Sequence, residues 1–177
     1  MSRDIPSQVR RAACAQMSGM RRLNTTAIVS MASDYRPSAK TPGQNLAAFK
    51  RAAPSLGISP RQVHAIDWLM GFTWPQDWED GQRPIVWPSA AFMRESLGLA
   101  VTQTKMLTRR LVELGLVIMR DSPNGKRYGR RGQDGRIIEA YGFDLSPLAV
   151  RYQEFIALAE AAAKERERRK ELRRRAT

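Results

Sequence analysis

Two short helical patterns meet across one glycine, and two β-favouring runs follow at once, separated by a glycine-broken stretch rich in cations. This order narrows the fold more than any other feature of the chain. Ser89 supplies an N-cap for a helix over 90–97, which Gly98 ends. "LAV" turns the corner, Thr102 offers a second cap, and the spacing predicts a helix continuing to Leu114 with Gly115 as its C-terminal stop. Thr104, Leu107, Leu111 and Leu114 share one face of that helix, while Thr102, Lys105 and Arg109 point roughly the other way, flanked by Met106 and Arg110. "LVIMR" (116–120) then reads as a strand, "DSPNGKRYGRRGQDGR" (121–136) as turn and loop, and "IIEAYGF" (137–143) as the returning strand.

A β-favouring "PIVW" (84–87) precedes the helix pair, and before it a helix opens at Ser59-Pro60 with Val63, Ile66 and Met70 in its apolar stripe. The order helix, strand, helix, turn, helix, strand, loop, strand is that of a winged helix-turn-helix: mainly α with a small β-wing and flanking helices. In that arrangement the second helix of the pair enters the major groove and the basic loop becomes the wing beside it.

Charge supports a polyanion as partner. The 177 residues carry a net charge of +13, and the charge is blocked: 1–51, 102–139 and 164–177 are strongly basic, whereas 52–101 and 140–163 are slightly acidic. On the wing, Lys126, Arg127, Arg130, Arg131 and Arg136, with Asn124, are placed to meet phosphates, and the glycines at 125, 129 and 132 let the backbone approach a groove. On the helix, Gln103, Lys105 and Arg109 have the chemistry of base-edge readers, Gln for adenine and Lys or Arg for guanine. Affinity is expected in the wing and specificity in the helix.

The flanks divide the chain into three parts. Residues 1–43, ending in "RPSAKTPG", have weak periodicity and read as a basic, loosely docked arm. Residues 44–146 form the DNA-binding domain, opening with a short helix marked by Leu46, Phe49 and Ala53 before Pro54. Residues 147–177 hold a last helix with Leu148, Tyr152, Phe155, Ala159 and Ala162 in its stripe, then "KERERRKELRRR" (164–175), which is polar nearly all round and reads as a solvated tail leading toward a further domain.

Other chemistry is sparse. His64 lies off its helix's apolar stripe and reads as a surface residue, and Trp74 and Trp78 in "TWPQDWEDGQR" (73–83) read as pins for a long loop. One cysteine, Cys14, makes no internal disulfide and one histidine builds no typical zinc site, so no cofactor or metal is expected and a reducing cytoplasm suits the chain. No apolar run has the length of a membrane span. There is no G-x-x-x-x-G-K-[ST] loop and no paired-carboxylate nuclease pattern, so binding is expected here and not catalysis.

Three stretches point further. "PIVWPS" (84–89), "RDSPNGKRYGRRG" (120–132) and "EAYGFDLSPL" (139–148) together resemble the N-terminal domain of RepC, the replication initiator of repABC-type plasmids of alphaproteobacteria, over about residues 56–163. The chain departs from that pattern in lacking a threonine-proline-phenylalanine-glycine run before "GMRRLNT" (19–25) and in carrying Ala90 where asparagine is expected. The resemblance implies binding to double-stranded DNA at an AT-rich plasmid origin inside the initiator's own coding sequence, strand opening, recruitment of host replication proteins, and a C-terminal domain beyond this stretch. A winged-helix transcriptional regulator, binding a palindromic operator as a homodimer, shares the fold. A basic protein of RNA or of an anionic membrane surface shares the charge.

Overall fold

A computed structural model describes residues 30, 35–36 and 40–176. The basic arm expected over 1–43, with Cys14 and "GMRRLNT", lies almost wholly outside them. Helix α1 (Pro42–Ala52) begins two residues earlier than expected, because Thr41 and Gln44 form a reciprocal capping box with Pro42 at the first helical position. A 3-10 turn, Ala53–Leu56, absorbs Pro54. Helix α2 (Pro60–Met70) starts on the same device, Ser59 with Gln62, and buries Ala65, Ile66, Leu69 and Met70. His64 is exposed on it.

Strand β1 (Ile85–Val86) leads into helix α3 (Ala90–Leu97), capped by Ser89 and closed by Gly98 at φ 62°, a left-handed value that glycine takes without penalty. Helix α4 (Val101–Glu113) follows, burying Thr104, Leu107 and Leu111. Thr102 is not its cap. The helix starts two residues earlier than such a cap implies, at Val101 with Ala100 in the cap position, and the Gln103 side chain accepts the Ala100 N–H at 3.0 Å.

The β-region is more elaborate than a strand, a loop and a returning strand. Strand β2 (Ile118–Met119) is short, the expected loop contains a strand of its own, β3 (Tyr128–Arg131), and the returning run divides at Gly142 into β4 (Ile137–Tyr141) and β5 (Phe143–Asp144). β3 and β4 form an antiparallel hairpin pairing Tyr128 with Tyr141 and Arg130 with Glu139. β5 is the middle of a separate antiparallel sheet in the order β1-β5-β2. The protein is thus mainly helical with two small antiparallel sheets.

The last helix is also divided. Helix α5 (Ser146–Val150) ends at Arg151, and helix α6 (Tyr152–Arg175) runs on from it. Residues 147–159 are not peripheral. Leu148, Ala149 and Phe155 join Phe49, Ile66, Leu69, Met93, Leu111, Val117 and Phe143 in one continuous core, with Phe49 and Phe155 edge to face at 5.7 Å. Beyond Ala163 every described residue of α6 is exposed. Tyr35 packs on the sheet side of this core, where burial, with Asp144 near, pushes its hydroxyl up to about 12.

Candidate nucleic-acid interface

Helix α4 turns its apolar face inward and leaves the opposite face open. Thr102, Gln103, Lys105, Met106, Arg109 and Arg110 are all exposed, Met106 by 64%. Among the described residues Lys105 and Arg109 carry no ion pair, and Arg110 pairs only with Glu113, at 3.4 Å in solvent. Gln103 is committed locally: its carbonyl oxygen holds the Ala100 N–H, so a bidentate contact to a base would first have to release that bond. One flank of the helix borders an open groove of about 440 Å³ whose other wall is the start of α2, including Arg61. That cation was not singled out in the sequence, because only the tertiary fold brings 61 beside 109 and 110.

The far end of α4 is fixed by a residue that sequence patterning gave no reason to notice. Arg151, 7% exposed, donates from Nη1 to the carbonyls of Leu114 (2.9 Å) and Gly115 (3.2 Å), where a cation complements the helix C-terminus. Its other edge makes a bidentate pair with Glu154 at 2.7 and 2.8 Å. The break between α5 and α6 therefore sits at the residue that ties α4 to the core.

The hairpin treats its cations unequally. Arg130 is exposed, opposite Glu139 on the outer face, and Lys126 is exposed on the preceding turn. Asn124 builds that turn, its Oδ1 accepting the Lys126 N–H at 3.0 Å. Arg136 is exposed and 3.4 Å from Glu79. The expectation that Arg127 and Arg131 also stand free is corrected. Arg127 lies over the Phe143 ring at 4.4 Å and donates to the Pro88 carbonyl at 3.1 Å, and burial pulls its pKa below the usual arginine value.

Arg131 is turned fully inward. Its guanidinium makes a bidentate pair with the buried Asp77 at 2.6 and 2.8 Å, donates to the Gly135 carbonyl, and lies 4.2 Å from the Trp74 ring centre and 5.6 Å from that of Trp87. Asp77 also accepts the Trp74 N–H at 2.8 Å. Alternation along β3 places Arg131 and Gly129 on the same inner side. A Cβ on Gly129 would lie 2.5 Å from the Trp87 ring, so this glycine serves the contact with the protein's own tryptophan and not an approach to a groove. Trp78, 5% exposed, pins the 73–83 loop as expected, whereas Trp74, 47% exposed, acts as a platform for Arg131.

At the base of the sheet the buried Asp144 accepts from Arg120 at 3.0 and 3.1 Å, from Arg83 at 3.3 Å and from the Ser146 N–H at 2.9 Å. Arg120, the first cation of the basic run, is thereby structural as well. Among the described residues no helix is long and apolar enough to cross a membrane.

Comparison with known proteins bears on this architecture. A family model described as the replication protein C N-terminal domain matches residues 11–177. A protein of Sinorhizobium fredii (strain NBRC 101917 / NGR234) bearing the name replication protein C is 40% identical over 133 residues, covering 73% of this chain and 32% of that protein. One of the same name from Rhizobium rhizogenes is 36% identical over 112 residues, 63% of this chain and 28% of the relative. The chain spans about a third of the length of these relatives. No solved structure matches.

Proposed function

The chain belongs to the replication protein C family, and we propose that it is the DNA-binding part of a plasmid replication initiator, a winged helix-turn-helix that recognises duplex DNA at the origin. In this reading α3 and α4 are the turn motif, α4 lies in the major groove, and the β3–β4 hairpin is the wing on the adjacent backbone. The observation that carries the proposal is the open face of α4: six side chains point away from the core, and the cations Lys105 and Arg109 among them have no partner among the described residues.

Lys105 and Arg109 read base edges, while Lys126 and Arg130 neutralise phosphates and release counterions. Arg127 and Arg131 leave that list and hold the wing at a fixed angle. Strand opening and recruitment of host replication proteins are not assigned to any residue of this reading.

Fluorescence anisotropy on duplexes tiled across the AT-rich part of this protein's own coding sequence, against scrambled duplexes of equal composition, tests the reading. A gene-derived duplex should be preferred by at least tenfold, and the preference should survive raised salt. Equal binding to every tile would overturn it.

A further inference from the structure

Met106 is the most exposed large apolar side chain among the described residues, at 64%. A single apolar residue on a surface needs no explanation in itself. Its position does. Thr102, Met106 and Arg109 occupy successive turns of α4 on the side opposite the buried Thr104, Leu107 and Leu111. Arg109 and Arg110, three and four residues on, are its neighbours along the helix surface. Met106 also borders the open groove between α4 and the start of α2, and at this exposure no neighbour covers it.

The rest of the face leaves one task undone. In the proposed reading α4 lies in the major groove, where guanine offers two acceptors to Lys or Arg and adenine is matched by a bidentate amide. Lys105 and Arg109 are readers of the first kind. The one amide of the face, Gln103, is engaged at Oε1 by the Ala100 N–H at 3.0 Å. Thr102 presents a hydroxyl that serves donors and acceptors alike and so discriminates little. The remaining mark of an A·T pair is the 5-methyl group of thymine, which projects into the major groove and is recognised by apolar contact. A thioether on three rotatable bonds suits that contact, because it is polarizable and adapts to the position of the base.

We propose that Met106 is a thymine reader, its side chain packing on a thymine 5-methyl group while Lys105 and Arg109 engage neighbouring guanines. The inference rests on the placement of α4 in the major groove given above, and it adds a role and a base which that reading leaves open.

The test uses the full chain and its preferred duplex, taken from the coding-sequence tiles or selected from a random-sequence pool. Each thymine in turn is replaced by deoxyuridine, which lacks only the methyl group and keeps every hydrogen-bonding edge. For the unaltered chain at least one replacement should weaken binding by about fourfold, from about 0.8 kcal/mol per buried methyl-sized group. Met106→Ala should bind the thymine and deoxyuridine duplexes alike at that position. Met106→Leu, which keeps an apolar side chain of similar volume, should restore the difference. Alanine and leucine are both good helix formers at this exposed position, so the variants compare contacts and not folding.

A methyl dependence as large in Met106→Ala as in the unaltered chain would place the effect in the shape of the DNA and overturn the inference. Indifference of the unaltered chain to every thymine methyl would overturn it as well; a sequence preference that still falls in Arg109→Ala would then leave the recognition-helix reading standing. If no preferred duplex emerges from either source, both fall together.

Discussion

Helix α4 and the β3–β4 hairpin both carry dense positive charge, yet the fold spends it differently. On α4 the core takes Thr104, Leu107 and Leu111, and the polar face is left to the outside as a set. On the hairpin, neighbours in sequence are split: Arg130 faces solvent, while Arg131 is held between two tryptophans and the carboxylate of Asp77. A helix needs only its own backbone bonds to present a face. A two-stranded ribbon standing off a domain is marginal alone and must be fastened. The lesson is that a basic hairpin needs some of its arginines as fasteners, and counting cations in such a segment overstates the charge it offers a ligand.

The contrast between Arg130 and Arg131 breaks most visibly in stability. Arg131→Ala should cost about 3 to 5 kcal/mol in urea unfolding, because it strands a buried carboxylate, whereas Arg130→Ala should stay within about 0.5 kcal/mol. Similar small losses for both would mean that the clasp does not hold the hairpin. Gly129→Ala should come next, at about 1 to 3 kcal/mol, since its methyl group must displace the Trp87 ring; an unchanged midpoint would show the hairpin lying clear of the body.

Binding sharpens the comparison from the other side. Lys105→Ala or Arg109→Ala should weaken the preferred duplex by about 1 to 3 kcal/mol and leave scrambled duplex less affected. The smallest effect belongs to Arg130→Ala, which should lower the salt slope by about 0.9 on every duplex alike. A slope that does not move would make this arginine an ordinary solvated charge.

Much of the fold was legible because its signals are local. Ser89, Gly98 and the Leu107–Leu111 spacing each act within one turn of helix, and the helices they mark stand within a residue or two of expectation. Strand β4 is legible in "IIEAYGF", but β3 reads as loop because "YGRR" has little strand preference of its own; its pairing depends on Tyr141, thirteen residues beyond Tyr128, and on Trp87 and Asp77 across the fold. The candidate site divides in the same manner. The open face of α4 follows from helical period, whereas the inward turn of Arg131, the groove shared with Arg61 and the clamp by Arg151 are products of tertiary contact that no local pattern encodes.

The proposed division of labour between α4 and the β3–β4 hairpin is tested most directly by one ratio. Affinities for the preferred and scrambled duplexes are measured at one salt concentration for the unaltered chain, Arg109→Ala and Arg130→Ala. The ratio should fall by roughly five- to a hundredfold in Arg109→Ala, from a loss of about 1 to 3 kcal/mol on the preferred duplex, and stay constant in Arg130→Ala while both affinities drop. A ratio that falls in Arg130→Ala and holds in Arg109→Ala would contradict the account, placing recognition in the wing and mere charge in the helix.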